Sequence, residues 1–398
     1  MDARNNKDNI IKIRKDSLWN KSYILLLVVN MLLFLDFNIS TAGMPVYVES
    51  LKTSEVVVGL TTTITAMAAL IIRPVAGWLA TFISRKMILI VGIVCLMVAC
   101  SSYVLTHVVG VIVLARIIHG MGWGISSTAI STMAIDVIPS AKTGEGIGYM
   151  GFVASIGTAI APLIMVSLLN AGGIDRVLFV MAGCCYLCFF VVVLSRQTYK
   201  CIDCDKIKSF KISRCFEYRS IIPAISICFI TIGYSAAITF ITQYSIHNKI
   251  IGIEKYFLLY AVFTMLIRPV SGRIVDRKGF FVLGNAAFGF MAIGILLVGC
   301  SGYVNMLSVA GALIGIGMGL GMSAIQTMAV NKLGYARRSS GIATFLFGFD
   351  SGMAIGSLVA GYIVAYYGYI VMFIVMGIVP MIGAIFFCAT YKLWRNME

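Results

Sequence analysis

Charged residues are scarce in this 398-residue chain, where Asp, Glu, Lys and Arg together make up only 12%. Ordinary soluble domains carry about 25%, so the shortage excludes a typical water-soluble fold. The sequence also lacks the phosphate-binding pattern G-x-x-x-x-G-K-[ST] and the zinc-binding pattern H-E-x-x-H, and it has only three histidines. These absences argue against a nucleotide-hydrolysing domain and against the alternative of a membrane enzyme or receptor.

Apolar residues fill the chain instead, at 60% of the composition and a mean hydropathy of +0.97. Their runs of about 20 residues can cross the roughly 30 Å hydrocarbon core of a bilayer as helices, and they lack the alternation of barrel strands. We therefore predict an all-α membrane protein with twelve transmembrane helices. The predicted spans are 22–47, 55–82, 87–106, 108–133, 145–170, 174–195, 220–246, 256–275, 280–300, 303–330, 340–366 and 368–391.

Basic residues give the chain a net charge of +15, and they collect on one side of the predicted topology. The segments 1–21, 83–86, 136–144, 196–219, 272–279, 331–339 and 391–398 hold 24 of the 31 Lys and Arg residues. The opposite loops hold four, which are Lys52, Arg176, Lys249 and Lys255. This asymmetry follows the positive-inside rule, so no nucleic acid is needed to explain it. It predicts a multi-pass plasma-membrane protein, in a bacterium the cytoplasmic membrane, with both termini cytoplasmic.

The eleven cysteines fall mostly in predicted helices or on the predicted cytoplasmic side, where thiols stay reduced. Cys201-x-x-Cys204 has the spacing of a metal or redox motif, but no histidine or second C-x-x-C accompanies it. We therefore predict no disulfide framework, no metal and no cofactor.

An internal repeat relates the two halves of the chain at an offset of 195 residues. The stretch beginning RPVAG at Arg73 returns as RPVSG at Arg268, and residues 120–134 match residues 315–329 at 8 of 15 positions without a gap. Six helices per copy leave both copies in the same orientation, which is a parallel repeat. The predicted units are residues 1–21, a six-helix bundle at 22–195, a linker at 196–219, a second bundle at 220–391 and a tail at 392–398.

Several motifs resemble those of the major facilitator superfamily, and the resemblance covers essentially the whole chain. The family pattern G-x-x-x-D-x-x-G-R-[KR] has as its counterparts Gly77, Thr81, Ser84, Arg85 and Lys86. The second copy keeps Gly272, Asp276 and Gly279. The segment from Leu114 to Gly122, which contains Arg116, is similar to the family's helix 4 motif. In helix 5, Gly157 and Pro162 resemble its antiporter motif. The pattern is most similar to the twelve-helix drug:proton antiporter branch.

The resemblance implies a fold of two pseudo-symmetric six-helix bundles and a gate at the cytoplasmic side. Asp276 would be held by basic neighbours and by the N-terminus of helix 5, because helix N-termini attract anions. Thr81 cannot carry the corresponding charge in the first copy. The predicted gate residues are Gly77, Arg85, Lys86, Gly272, Asp276 and Arg277. Pro162 should bend helix 5.

Placing a charged side chain inside a membrane costs free energy, so each such residue is expected to have a structural or functional role. Arg73 and Arg268 are expected to extend to the cytoplasmic interface. Asp36 and Asp350 are candidates for proton coupling, since a carboxyl group removed from bulk water can exchange a proton near neutral pH; Asp350 has a structural role as its alternative. Arg116 could tune a carboxylate or hold substrate. His119 could titrate or be a hydrogen-bonded structural residue.

The family's helices 1, 4, 7 and 10 line a central cavity, which predicts the lining residues Ser40, Trp123, Tyr234, Gln243, Met318, Met322 and Gln326. Aromatic and methionine side chains with few charges suit amphiphilic or hydrophobic compounds. The sequence therefore predicts a monomeric, proton-coupled exporter of such small molecules, of the kind that confers multidrug resistance. The alternative is an exporter or symporter of one defined metabolite, such as a sugar, siderophore or metallophore.

Overall fold

A computed structural model describes residues 18–51, 55–80, 83–195, 216–300, 302–334 and 337–396. Helices make up almost all of these residues, and the α-helices form ten runs, two of which contain a break. The first four are α1 (Lys21–Ser50), α2 (Glu55–Leu79), α3 (Arg85–Leu105) and α4 (Val109–Val137). The next run, Thr143–Leu194, contains α5 and α6. Then follow α7 (Ile221–His247), α8 (Glu254–Lys278), α9 (Phe280–Cys300) and α10 (Val304–Asn331). The last run, Arg338–Asn396, contains α11 and α12.

Glycines divide the two long runs. Gly173 has φ 76° and Gly368 has φ 81°, in the left-handed region that glycine adopts without a Cβ penalty. The chain reverses at each point, which separates α5 (143–171) from α6 (174–194) and α11 (338–367) from α12 (369–396). The predicted all-α membrane fold with twelve helices is confirmed, with the spans broken at 170–174 and 366–368 as the sequence indicated.

Two separate cores hold the helices together. One cluster of buried apolar side chains runs from Leu18 to Val192, and the other runs from Ile222 to Trp394. We call the first set of six helices the N bundle and the second the C bundle. Because lipid is as apolar as these side chains, close helix packing rather than water exclusion must supply much of the stabilisation within each bundle.

The two bundles meet at the side of the molecule where α1 begins and α12 ends, which we call the terminal face. Helix α2 crosses α11 there, and α5 crosses α8. Hydrogen bonds and ion pairs join the two bundles here. On the N bundle they involve α2 from residue 73 to its end, the C-terminal part of α4 and the N-terminal part of α5. On the C bundle they involve the C-terminal part of α8 and the N-terminal part of α11. The bundles are therefore closed against each other at the terminal face.

Candidate functional site

Ionisable side chains form a buried cluster inside the N bundle. Asp36 of α1 and His119 of α4 are 1% and 0% exposed, and their Oδ2 and Nε2 atoms lie 3.6 Å apart. Cys100 of α3 approaches both, with its Sγ 3.6 Å from Asp36 Oδ1 and 3.9 Å from His119 Nδ1. Asp36 Oδ2 and His119 Nε2 are buried without a hydrogen-bond partner. Asp36 Oδ2 and His119 Nε2 therefore face each other without a competing partner, and a proton can lie on either group.

Arg116 lies one helical turn before His119 and is itself 1% exposed. Its Nη1 donates to Ser40 Oγ at 2.6 Å and its Nε donates to the Thr61 carbonyl at 3.3 Å. Within the part of the chain that the structure describes, no carboxylate lies within 4.0 Å of this guanidinium, so neutral oxygens hold it. Arg116 is thus a fixed positive charge that ties α4 to α1 and α2 beside the Asp36 cluster.

Asp350, the other predicted coupling carboxylate, lies between the bundles rather than inside one. Its Oδ2 is 2.5 Å from Nε of Arg73 on α2, and Arg73 Nη1 donates to Ser127 Oγ of α4 at 2.8 Å. The Arg73 side chain is 4% exposed. Our expectation that Arg73 extends to the aqueous interface is therefore wrong, because a carboxylate of the opposite bundle pairs with its charge within the protein. Arg268 is likewise directed at the opposite bundle, where its Nη1 donates to the Gly151 carbonyl at 2.5 Å.

The crossing of α5 and α8 brings a carboxylate to a helix N-terminus. Asp276 accepts hydrogen bonds from the backbone N–H groups of Gly144 and Glu145, both at 2.9 Å. The backbones approach so closely that a Cβ on Gly272 would collide with the Gly144 carbonyl. These are the first N–H groups of α5, which have no partner within their own helix, so the carboxylate satisfies them.

Two arginines of α8 flank Asp276, and they differ in what they contact. Arg273 Nε donates to Glu145 at 2.8 Å and its Nη2 donates to the Tyr149 hydroxyl at 2.6 Å. Arg277, which the sequence analysis selected, is exposed. The sequence analysis missed Arg273, although its position three residues before Asp276 places both on one helix face.

The crossing of α2 and α11 uses different groups. Gly77 packs against Ala343 and accepts a 3.5 Å hydrogen bond from Ser340. Arg338, at the start of α11, donates to the Ile135 carbonyl at 3.1 Å and lies 3.6 Å from Asp136 at the end of α4. Arg85 also pairs with Asp136. Thr81, whose missing charge was noted above, lies outside the described residues.

The other predicted motif residues stabilise individual bundles. Ser84 caps α3, with its Oγ accepting from Met87 N at 3.3 Å. Lys86 donates to the Ser195 carbonyl at 2.5 Å, beyond the end of α6, where helix dipoles favour a cation. Gly157 lets α5 approach α1 near Met31. The side chain of Pro162 lies outside the described residues.

A small apolar cluster lies beside these polar contacts at the terminal face. Ile135 and Ile147 come from the N bundle, and Val330 and Ile342 come from the C bundle. All four are buried, with exposures from 0% to 6%. Apolar side chains packed across the interface exclude water from the contact, so they close this side together with the polar contacts.

The predicted cavity residues divide into buried and partly exposed groups. Ser40 is occupied by Arg116, Trp123 stacks on Phe37 with ring centroids 4.2 Å apart, and Tyr234 accepts a hydrogen bond from the Tyr260 hydroxyl at 2.8 Å. Met318 is buried in the core of the C bundle. Met322 and Gln326 are partly exposed, and the side chain of Gln243 lies outside the described residues.

This architecture defines a class: a polytopic helical membrane protein built from two repeated six-helix bundles that share one interface. The family model of the Major Facilitator Superfamily matches residues 26–279 and 213–396. The chain therefore belongs to the major facilitator superfamily, whose members are transporters.

The curated relatives of this chain come from bacteria and match it at low identity. Quinolone resistance protein NorA of Staphylococcus aureus (strain MRSA252) is 28% identical over 143 residues, which are 36% of this chain and 37% of NorA. The match thus spans little more than a third of NorA's length. The MFS-type transporter YhhS of Shigella flexneri is 23% identical over 366 residues, 89% of each chain.

Solved structures share the fold at low identity. The major facilitator transporter FucP in its outward conformation has a TM-score of 0.79 at 16% identity, covering 96% of this chain and 100% of FucP. A bacterial homologue of the iron transporter ferroportin in an outward-facing state has a TM-score of 0.74 at 12% identity, covering 95% of this chain and 100% of that protein. At these identities the comparison shows the fold alone.

Proposed function

We propose that this transporter is a proton-coupled exporter of small amphiphilic or hydrophobic molecules, in the drug:proton antiporter branch of its family. The observation that carries the proposal is the buried pair of Asp36 and His119, whose facing atoms have no other partner, beside the fixed charge of Arg116. Ionisable groups within a membrane are rare and mark ion pathways. The short match to NorA supports a drug-like substrate.

In this proposal Asp36 is the group that takes up and releases the proton. Arg116 keeps its positive charge under physiological conditions, so it stays a fixed charge beside the pair while the proton moves. Protonation of Asp36 changes the net charge of the cluster by one. Since α1 and α4 carry the cluster, that change acts on the helices that line the space between the bundles.

Alternating access then consists of the two bundles rocking about their interface. The terminal face is cytoplasmic in this proposal, as the distribution of Lys and Arg predicts, and the contact of Asp276 with the backbone N–H groups of Gly144 and Glu145 acts as its gate. One proton moving through about 150 mV supplies roughly 3.4 kcal/mol, at about 2.3 kcal/mol per 100 mV. One exchanged proton therefore suffices for useful export. The protein works as a monomer in the bacterial cytoplasmic membrane.

The experiment is proton-driven uptake of a fluorescent cationic dye, ethidium, into inverted membrane vesicles. Asp36→Asn keeps the size of the side chain but cannot exchange a proton, so we expect at least a tenfold fall in gradient-driven accumulation. Exchange of ethidium across the membrane without a gradient should remain, because substrate binding and rocking are intact. The exposed Asp175 supplies the matched control, and Asp175→Asn should accumulate dye as the parent protein does.

Gradient-driven accumulation at the parental level in Asp36→Asn would remove Asp36 from coupling. Loss of gradient-free exchange along with accumulation would instead indicate a general defect in the protein. In that case the same assay with Arg116→Gln, which removes the fixed charge, decides, because a coupling role predicts that accumulation falls while exchange persists.

A further inference from the structure

The two copies of the repeat place one arginine each at equivalent positions, Arg73 on α2 and Arg268 on α8. Both side chains point across the interface to the other bundle. Arg73 has the partner that a buried guanidinium requires, because Asp350 Oδ2 lies 2.5 Å from its Nε. The first copy therefore shows which kind of group this position accepts, namely a carboxylate.

Arg268 lacks such a partner. Its Nη1 binds the Gly151 carbonyl, but its Nε is buried without any hydrogen-bond partner. Among the described residues, no carboxylate lies within 4.0 Å of the Arg268 guanidinium. The ion pairs formed by these residues involve other arginines and His119. A buried donor atom without a hydrogen-bond partner is unfavourable, and a carboxylate of a bound molecule would satisfy it.

The repeat explains why Arg268 has no carboxylate partner among the described residues. The residue 195 positions before Asp350 is Ser155 on α5, and its hydroxyl donates at 3.0 Å to the same Gly151 carbonyl that Arg268 uses. A short neutral side chain thus stands where the other copy has an acid. The acids at the crossing of α5 and α8 are already engaged, because Glu145 binds Arg273 and Asp276 binds two backbone N–H groups.

The surroundings of Arg268 fit an organic anion. Tyr260 lies two turns before it on the same face of α8, and its ring stacks on that of Tyr234 with centroids 5.8 Å apart. Both tyrosines lie close enough to the guanidinium to interact with it electrostatically. Arg268 and Ser155 are partly exposed, so a bound molecule can reach them.

We propose that Arg268 binds a carboxylate of the transported molecule, so that amphiphilic aromatic carboxylates are substrates of this transporter. The proposal rests on the proposed export function and adds its substrate class. Nε and an adjacent Nη of a guanidinium can hold a carboxylate by two parallel hydrogen bonds, while the tyrosine pair contacts the aromatic body.

Equilibrium binding to the purified full-length protein in neutral detergent tests the proposal, without any proton gradient. The probes are aromatic carboxylates paired with their neutral primary amides, beginning with 2-naphthoate and 2-naphthamide. The parent protein should bind the carboxylate at least tenfold more tightly than the amide, the range of one charge-assisted hydrogen bond. Arg268→Gln should abolish this preference.

Ser155 gives a second variant that leaves Arg268 in place. Ser155→Asp supplies an internal carboxylate next to the guanidinium and should remove the preference for 2-naphthoate. Ser155→Asn has nearly the same size without the charge and should keep it. Equal affinities for acid and amide across the probe panel, or a preference that survives both Arg268→Gln and Ser155→Asp, would overturn the proposal.

The two proposals fail in distinguishable ways. If the parent protein drives ethidium transport with a proton gradient but shows no preference for carboxylates, the substrate inference is wrong and the proposed function stands. If it prefers 2-naphthoate but shows proton-driven transport of neither ethidium nor 2-naphthoate, the carboxylate site stands and the coupling proposal is wrong.

Discussion

The N bundle and the C bundle share one architecture, yet equivalent positions hold ionisable residues in the N bundle and uncharged residues in the C bundle. In the N bundle, Asp36, Arg116 and His119 put ionisable groups into the core. Their equivalents 195 residues later are Thr231, Gly311 and Ile314. In the C bundle these positions are occupied by a hydroxyl that donates to its own helix, a glycine and a fully buried isoleucine. At these three positions, one copy of the repeat thus has ionisable side chains, and the other has small or apolar residues that pack closely.

The contrast at Arg116 and Gly311 shows why the two properties exclude each other locally. Gly311 allows α10 to approach α8 so closely that a Cβ would lie 2.5 Å from the Tyr256 carbonyl. At the equivalent place α4 has a long side chain that reaches between α1 and α2. A duplicated unit can therefore specialise by exchanging a single residue, because the rest of each bundle maintains the fold.

The two crossings between the bundles also differ, because they use side chains of opposite charge. At α5 and α8, the anion Asp276 caps a helix N-terminus. At α2 and α11, the cation Arg338 meets the C-terminal end of α4 at the Ile135 carbonyl. Both arrangements agree with the helix dipole, so opposite charges can close equivalent crossings.

The largest expected difference concerns the two equivalent arginines. Arg73→Gln leaves Asp350 without its partner at a mostly buried position, and we expect a loss of about 3 kcal/mol in the free energy of unfolding. Arg268→Gln removes a cation that has no acid partner and should cost less than about 1 kcal/mol or stabilise the protein. Unfolding temperatures in detergent measure both.

The double variant Arg73→Gln with Asp350→Asn controls this measurement, because it removes both charges at once. It should be more stable than the sum of the two single losses predicts. Equal losses for Arg73→Gln and Arg268→Gln would show that the two copies do not differ in this way.

Filling Gly311 tests the close packing in the C bundle. Gly311→Leu forces a side chain into the backbone of α8, and we expect a destabilisation of about 1–3 kcal/mol. Gly289 of α9 is the matched control, since a Cβ there meets no atom within 4 Å. If Gly311→Leu unfolds at the same temperature as Gly289→Leu, the close approach of α10 to α8 at Gly311 does not contribute to the stability of the C bundle.

The two crossings can be compared by the distance distribution across the terminal face. Spin labels at the exposed and equivalent positions Met87 and Val282 report this distance by pulsed electron paramagnetic resonance, in a background without native cysteines. Asp276→Asn weakens a helix-terminal anion worth about 0.3–1 kcal/mol, so the open fraction should rise roughly two- to fivefold.

Arg338→Gln should raise the open fraction less, because its ion-pair distance of 3.6 Å to Asp136 is longer than the 2.9 Å bonds of Asp276. The reverse order would mean that the α2 and α11 crossing is the stronger closure.

The smallest effect should come from the exposed pair of Arg273 and Glu145 beside Asp276. Solvent-exposed ion pairs are screened and add little, and the equivalent residue in the first copy is the uncharged Trp78. Arg273→Gln should leave the same distance distribution within error of the parent, at both low and high salt. A shift as large as that of Asp276→Asn would make Arg273 a principal part of the closure.

The twelve helices were predictable because membrane spans depend on local composition, and the breaks at Gly172, Gly173 and Gly368 coincide with the predicted ends. Asp276 could be selected because the family motif marks it. Arg273 and Arg338 were missed, since many basic residues lie near helix ends and sequence alone does not tell which of them faces the other bundle. The pairing of Arg73 with Asp350 was also missed, because its members are 277 residues apart.

Composition and repeat period by themselves determined the membrane class, the number of helices and the relation between the halves, because each depends on hydropathy along the chain. Only the tertiary structure decided which charges meet. Asp36 faces His119 and Cys100, whereas Asp350 faces Arg73 and Arg268 faces no acid among the described residues. The physical reason is that helix rotation and crossing set these encounters, and both arise from packing between distant segments.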